Sequence, residues 1–146
     1  LVTGVQTCAL PISIVIEAFL KGTEVTCGIY RSPSGLIPLP LTEIVTDNDF
    51  FDYEAKYLGQ SQEITPARIP DSIRDLVWER SKEIYSLLQL RSIARIDFMV
   101  VDGIPHVIEV NTTPGFSTAS LVPQMLGVYG KSIRDFWTEI FEVELK

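Results

Sequence analysis

The stretch "ARIDFMVVDGIPHVIEVNTTPGFSTASLVP", residues 94–123, decides the fold. Two runs rich in β-formers flank Asp102-Gly103, a dipeptide suited to a tight turn, so the stretch predicts a hairpin followed by a loop. Residues two apart on a strand share a face, which projects Arg95 with Asp97 and Glu109 with Asn111. With an odd loop, Asp102–Ile104, and Val101 facing Pro105, Asp97 lies opposite Glu109 and Arg95 opposite Asn111. One face then holds four polar groups, which fits a face turned to a cavity. The other holds Ile96, Phe98, Val100, Ile108 and Val110, a set suited to burial against helices.

Two carboxylates and a carboxamide oxygen at close quarters repel one another unless a cation lies among them, and oxygen-only donors suit Mg²⁺. A guanidinium beside them can stabilise negative charge developing on a substrate. The same residues also fit a solvated sheet face with Arg95 paired to a carboxylate. After Asn111 the chain runs into small and hydroxyl-bearing residues. Gly115 can bring a backbone amide close to a ligand, and Ser120 stands at an expected helix start, where amides favour an anion.

Working outward, "ASLVPQMLGVYG" predicts a short helix stopped at Gly130. "SIRDFWTEIFEVELK" predicts a second, capped by Ser132, with Ile133, Phe136, Trp137, Ile140 and Phe141 inward. Upstream, Pro70 precedes a helix that Asp71 or Ser72 can cap, with Ile73, Leu76, Val77, Ile84, Leu87 and Leu88 at helical spacing. The mixed stretch Asp47–Pro70 lacks a lasting period and reads as a long loop, and "LTEIVT" before it reads as a short strand. "RSPSGLIPLP" reads as an extended connection because of its prolines. Ile14–Phe19 and Glu24–Tyr30 read as a hairpin around "LKGT". The class is α+β.

The first twelve residues stand apart. "VTGVQTCALPI" lacks the basic flank of a secretory signal and back-translates into a common sequencing-library adapter, so Leu1–Ile12 are expected to be an artefact and residues 13–146 one domain. The net charge of -7 argues against binding a nucleic-acid backbone. Cys27, outside that stretch, has no partner for a disulfide or metal cluster, and a reducing cytoplasm is expected. Nothing approaches the roughly 18 apolar residues of a membrane span. His106 reads as a strand residue without a catalytic role, and Cys27 as a buried small hydrophobe.

Residues 94–123 as a unit, with "DYEAKYL" (52–58) and "IEAFLKGTEVTCGIY" (16–30) in the same order, closely resemble the C-terminal catalytic segment of D-alanine:D-alanine ligases, in the ATP-grasp superfamily. The resemblance implies a mostly antiparallel sheet flanked by helices. It implies an ATP-dependent ligase that joins two D-alanines through an acyl phosphate for peptidoglycan, with Mg²⁺ or Mn²⁺ and a homodimeric parent. Carried over to this sequence, Asp97, Glu109 and Asn111 would hold magnesium, while Arg95 and the Gly115 amide would stabilise the oxyanion. Ser120 and the Leu121 amide would take the acceptor carboxylate. Lys56 would reach phosphate or that carboxylate. Glu17 and the backbone of Phe19 and Leu20 would contact adenine, Glu24 the ribose, and Phe50, Met99 and Ile108 would flank the base. Simple alternation puts Met99 and Ile108 on opposite faces, so the pattern accounts for only one of them. The family's N-terminal domain, glycine-rich lid and lid lysines have no counterpart in this sequence, so a truncated, inactive fragment is expected. A D-lactate or D-serine ligase, another ATP-grasp carboxylate-amine ligase and a non-catalytic nucleotide-binding module are the alternatives.

Overall fold

A computed structural model describes residues 17–46 and 61–146. Six strands, β1 (Thr23–Ser32), β2 (Gly35–Pro38), β3 (Thr42–Thr46), β4 (Ser61–Ile64), β5 (Ile93–Val101) and β6 (Ile104–Asn111), form one sheet in the order β4-β3-β1-β5-β6, with β2 also on β1. Every pairing is antiparallel. Three helices accompany it: α1 (Asp71–Leu87), α2 (Leu121–Tyr129) and α3 (Ile133–Glu144). The architecture is the expected helix-flanked antiparallel sheet. Among the described residues no helix is long and apolar enough to cross a membrane.

β1 is the axis of the sheet. Along one edge it pairs with β5, and along the other with β3 at Glu24–Thr26 and β2 at Ile29–Ser32, the gap closed by the Leu39 amide donating to the Gly28 carbonyl at 2.8 Å. With both edges taken, β1 offers no edge to the expected hairpin around "LKGT"; Glu17–Gly22 form no strand, and Ile14–Ile16 of that expected arm lie outside the described residues. The hairpin partner is instead β2, inside the proline-rich stretch read as a connection: Pro33 falls in its turn and Pro38 at its end, where a missing N–H costs little. β4 likewise lies inside the stretch read as a loop.

Alternation splits β1 between two cores. Val25, Cys27 and Ile29 pack with Ile96 and Phe98 of β5 and with Val77 and Tyr85 of α1. Tyr30, on the opposite face, packs with Val122, Met125 and Leu126 of α2 and Phe136 and Ile140 of α3. Helix details differ from the pattern in three ways. No side chain caps α1: Asp71 pairs instead with Arg74 at 2.7 Å. α1 ends at Leu87, so Leu87 and Leu88 lie exposed past its buried stripe. Ile133 and Phe141 are also exposed, Phe141 stacking on Trp137. Ser132 does cap α3, accepting from the Asp135 amide at 3.0 Å, and Gly130 closes α2 at φ 80°.

The β5–β6 hairpin differs instructively. Its turn has two residues, Asp102 (φ 51°) and Gly103 (φ 79°), and Val101 pairs with Ile104 rather than Pro105. The odd residue is Ile108, extruded as a bulge where Phe98 pairs with Val107 and Asp97 with Glu109. The bulge restores the expected register at the polar end, with Arg95 opposite Asn111. It also removes Ile108 from the buried face, which corrects its placement there.

Candidate functional site

Residues directly paired across antiparallel strands point to the same side, so the register lines up rows across the sheet. One row runs Glu63, Ile44, Glu24, Met99, His106; the next runs Thr42, Thr26, Asp97, Glu109; a third runs Gly28, Arg95, Asn111. A fourth, Tyr30 with Ile93, is covered by α2 and α3. The helices thus cover half of this face, and the uncovered half forms the floor of a cleft of about 520 Å³.

Gly28 sets how closely α2 approaches. A Cβ there would meet Met125 Sδ at 3.0 Å, Leu39 Cδ1 at 3.1 Å and Val122 Cγ2 at 3.5 Å. Glycine therefore lets α2 press onto the row that holds Arg95, and the loop entering α2 becomes the cleft wall.

At the centre Arg95 bridges both carboxylates. Its Nε donates to Asp97 Oδ1 at 2.9 Å, and its terminal nitrogen donates to Asp97 Oδ2 at 2.8 Å and Glu109 Oε1 at 3.2 Å. Thr26 Oγ1 also donates to Asp97 Oδ1. The bonds to Asp97 hold the guanidinium above its ordinary pKa, with Glu109 and Glu24 adding to the effect against the opposing cost of burial. Asp97 is buried, whereas the Glu109 side chain is 55% exposed and so open to a ligand. Among the described residues no three His, Cys, Asp or Glu side chains converge as a metal cluster. The donors here are the two carboxylates, with Asn111 one row away and its Oδ1 accepting from the Thr113 amide at 3.0 Å. Such an all-oxygen set, already facing a cation in Arg95, fits a hard divalent ion.

The loop brings Gly115 and Ser120 together, a Cβ at Gly115 lying 3.1 Å from Ser120 Oγ. Ser120 stands at the N-cap of α2, yet its side chain makes no capping bond. Its hydroxyl turns back to the loop, accepting from the Ser117 amide at 3.0 Å and meeting Ser117 Oγ at 2.9 Å. No side-chain bond from Ser120 therefore caps the first amides of α2, those of Leu121 and Val122, Pro123 having none.

Of the residues singled out from sequence, eleven line one cleft: Phe19, Leu20, Glu24, Arg95, Asp97, Met99, Ile108, Glu109, Gly115, Ser120 and Leu121. Met99 and Ile108 share it because of the bulge. Glu17 and Asn111 do not line it, and Phe50 and Lys56 lie outside the described residues. Sequence reading missed Thr26, Ile44 and Glu63. Alternation from Glu24 would have found Thr26; Ile44 and Glu63 need the β1–β3–β4 register. His106 sits beside Met99 but outside the cleft, in keeping with a strand residue, and Cys27 is fully buried.

The model of a family described as D-ala D-ala ligase C-terminus matches residues 8–142. A D-alanine–D-alanine ligase of Flavobacterium johnsoniae is 48% identical over 132 residues, covering 90% of this chain and 41% of the relative. One from Parabacteroides distasonis is 44% identical over 134 residues, covering 91% and 41%. The chain spans about 41% of the length of these curated relatives. The crystal structure of a Bacillus anthracis D-alanine–D-alanine ligase complexed with ATP superposes with TM-score 0.70 at 31% identity, over 87% of this chain and 39% of that one. VanG D-Ala:D-Ser ligase from Enterococcus faecalis gives TM-score 0.71 at 29% identity, over 86% and 37%.

Proposed function

The chain belongs to the D-ala D-ala ligase C-terminus family, and from that premise we propose that its cleft binds ATP and the acceptor amino acid of a ligase that joins two D-alanines for peptidoglycan. One observation carries the reading: an apolar pair (Met99, Ile108), a carboxylate–guanidinium centre (Arg95, Asp97, Glu109) and an uncapped helix start (Ser120, Leu121) line one cleft. Base, phosphates and an amino-acid carboxylate are the chemistries these three regions fit.

In this reading the carboxylate of the first D-alanine takes the γ-phosphoryl group of ATP, giving an acyl phosphate and ADP. The amine of the second D-alanine then attacks the acyl carbon, and phosphate leaves. Met99 and Ile108 flank adenine with Phe50; the Phe19 and Leu20 backbone and Glu17 contact its edge, and Glu24 takes the ribose hydroxyls. Lys56 would reach phosphate or the acceptor carboxylate. Asp97, Glu109 and Asn111 would hold Mg²⁺, or Mn²⁺ in its place, and the ion when bound supplies positive charge against the phosphates. Arg95 and the Gly115 amide offset the charge on the oxygen of the tetrahedral intermediate. Ser120 and the Leu121 amide hold the acceptor carboxylate, which the uncapped helix start favours. The domain in this reading comprises residues 13–146; residues 1–12, which lie outside the described residues, are read as an artefact although the family match begins at residue 8.

The test is a graft of residues 13–146 into the matching segment of the Flavobacterium johnsoniae ligase, assayed for ADP and dipeptide. D-alanyl-D-alanine is the expected product. D-serine is the second acceptor to offer, because the VanG D-Ala:D-Ser ligase is as close in fold as the D-alanine ligase. A folded graft that forms no dipeptide with any acceptor refutes the reading. Ser120→Ala should raise KM for the acceptor roughly 10- to 150-fold, the worth of a hydrogen bond to a charged group, and leave KM for ATP nearly unchanged. An unaltered kcat/KM for the acceptor removes Ser120 from the site.

A further inference from the structure

Thr26 is a buried hydroxyl in mid-strand, between Val25 and Cys27 of the closed core, and it lies directly opposite Asp97 in the β1–β5 register. A hydroxyl has one proton to donate, and Thr26 gives it to Asp97 Oδ1. Arg95 Nε donates to the same oxygen, while among the described residues Oδ2 receives only the terminal nitrogen of Arg95. The two oxygens of Asp97 are therefore unequal: Oδ1 is tied to the sheet twice, and Oδ2 keeps spare acceptor capacity.

We propose that Thr26 is a positioning residue for cation binding, holding the Asp97 carboxylate by Oδ1 so that Oδ2 is offered to the ion. This rests on Asp97 being a cation ligand, as set out above. Arg95 cannot serve this purpose throughout. It already divides itself between Asp97 and Glu109, and an oxyanion in the cleft would draw it further from Asp97. Thr26 is the donor that stays, because it belongs to the neighbouring strand and is buried between Thr42 and Asp97 in the register of the sheet. Without it a carboxylate released by Arg95 is free to turn about its Cβ–Cγ bond and present either oxygen.

The experiment uses the full 146-residue chain with Mn²⁺ and a non-hydrolysable ATP analogue, and reads the affinity of the ternary complex by water-proton relaxation. Base binding without metal is read separately with a fluorescent ATP analogue in chelator. Thr26→Val, which keeps shape and loses the donor, should weaken Mn²⁺ about 10- to 100-fold, the usual effect of removing a group that orients a ligand. Metal-free nucleotide affinity should not move. Thr26→Ser should restore Mn²⁺ affinity to within about threefold. Thr26→Cys, a weaker donor of similar size, should fall between the two and serves if the Val variant unfolds. Wild-type affinity in Thr26→Val, or a Ser variant as weak as Val, overturns the proposal. Asp97→Asn separates it from the reading beneath: if that variant keeps Mn²⁺, Asp97 is no ligand and both fall. If Asp97→Asn loses Mn²⁺ and Thr26→Val does not, only the positioning role falls.

Discussion

The two faces of this sheet are made by alternate residues of the same strands, yet they behave as different materials. On β5, Ile96 and Phe98 are fully buried against α1 in an apolar core. Their neighbours Arg95, Asp97 and Met99 line an open cleft. On β1, Val25, Cys27 and Ile29 face the core, while Glu24 and Thr26 face the cleft and Gly28 receives α2. A strand of period two lets one element build rigidity with one set of side chains and place chemistry with the other, a single residue apart. The closed face holds the open one in register: the Asp97–Glu109 juxtaposition depends on a bulge one residue away, pinned by the burial of Phe98.

The comparison can be stressed from either side. Phe98→Ala should have the largest effect on folding, about 3–5 kcal/mol in a urea titration, because it opens a cavity in the closed core. Gly28→Ala acts from the other face. Its new Cβ meets Met125 and Leu39 near 3 Å, so a loss of about 1–3 kcal/mol is expected, with α2 displaced from the cleft. A Gly28→Ala protein as stable as wild type would show that α2 does not need this close approach.

Alkaline pH sharpens the contrast further, since the α1 face buries Cys27 and Tyr85, whose pKa burial also raises, and the α2 face buries Tyr30. Burial raises Cys27, on the α1 face, from 9.0 to about 12. Burial, then the bond Tyr30 donates to Glu139 at 2.9 Å, raises Tyr30, on the α2 face, from 10.0 to about 12. Both pKa values are higher in the folded state, so both favour the neutral form there. Their stabilisation is complete below pH 9 and 10 respectively, and is lost as pH climbs towards 12. Unfolding titrations between pH 8 and 11.5 should show falling stability from pH 9 upward. Cys27→Ala should delay that onset to about pH 10 and leave the Tyr30 contribution in place. A Cys27→Ala profile parallel to wild type would contradict it.

Much of this was legible in sequence. Alternation in residues 94–111 sorts β5 and the polar end of β6, while the bulge inverts Pro105–Ile108, and the turn chemistry of Asp102-Gly103 places the hairpin. The pairing of Asp97 with Glu109 was read correctly, but through an odd loop; the structure reaches it with a two-residue turn and a bulge at Ile108. A bulge leaves no mark in an apolar run, which is why Met99 and Ile108 looked irreconcilable. Ile44 and Glu63 were illegible for another reason: their place depends on register between strands distant in sequence, and β4 is a four-residue element of mixed composition. That Ser120 heads α2 was visible, whereas the turning of its hydroxyl towards Gly115 rather than the helix was not. Lys56 and Phe50 fall outside the described residues.

The central claim is that neighbouring residues on β5 divide structure from chemistry, and Asp97→Asn tests it most directly, measured in the grafted ligase for both unfolding free energy and dipeptide formation. Asparagine can still accept from Thr26 and Arg95, and Arg95 keeps Glu109. Stability should therefore fall by less than the roughly 3–5 kcal/mol expected of Phe98→Ala, while kcat/KM for dipeptide formation drops about 100-fold or more through loss of an anionic ligand. A variant that ligates within about threefold of wild type, or whose activity falls only as far as its folded fraction does, would contradict the division.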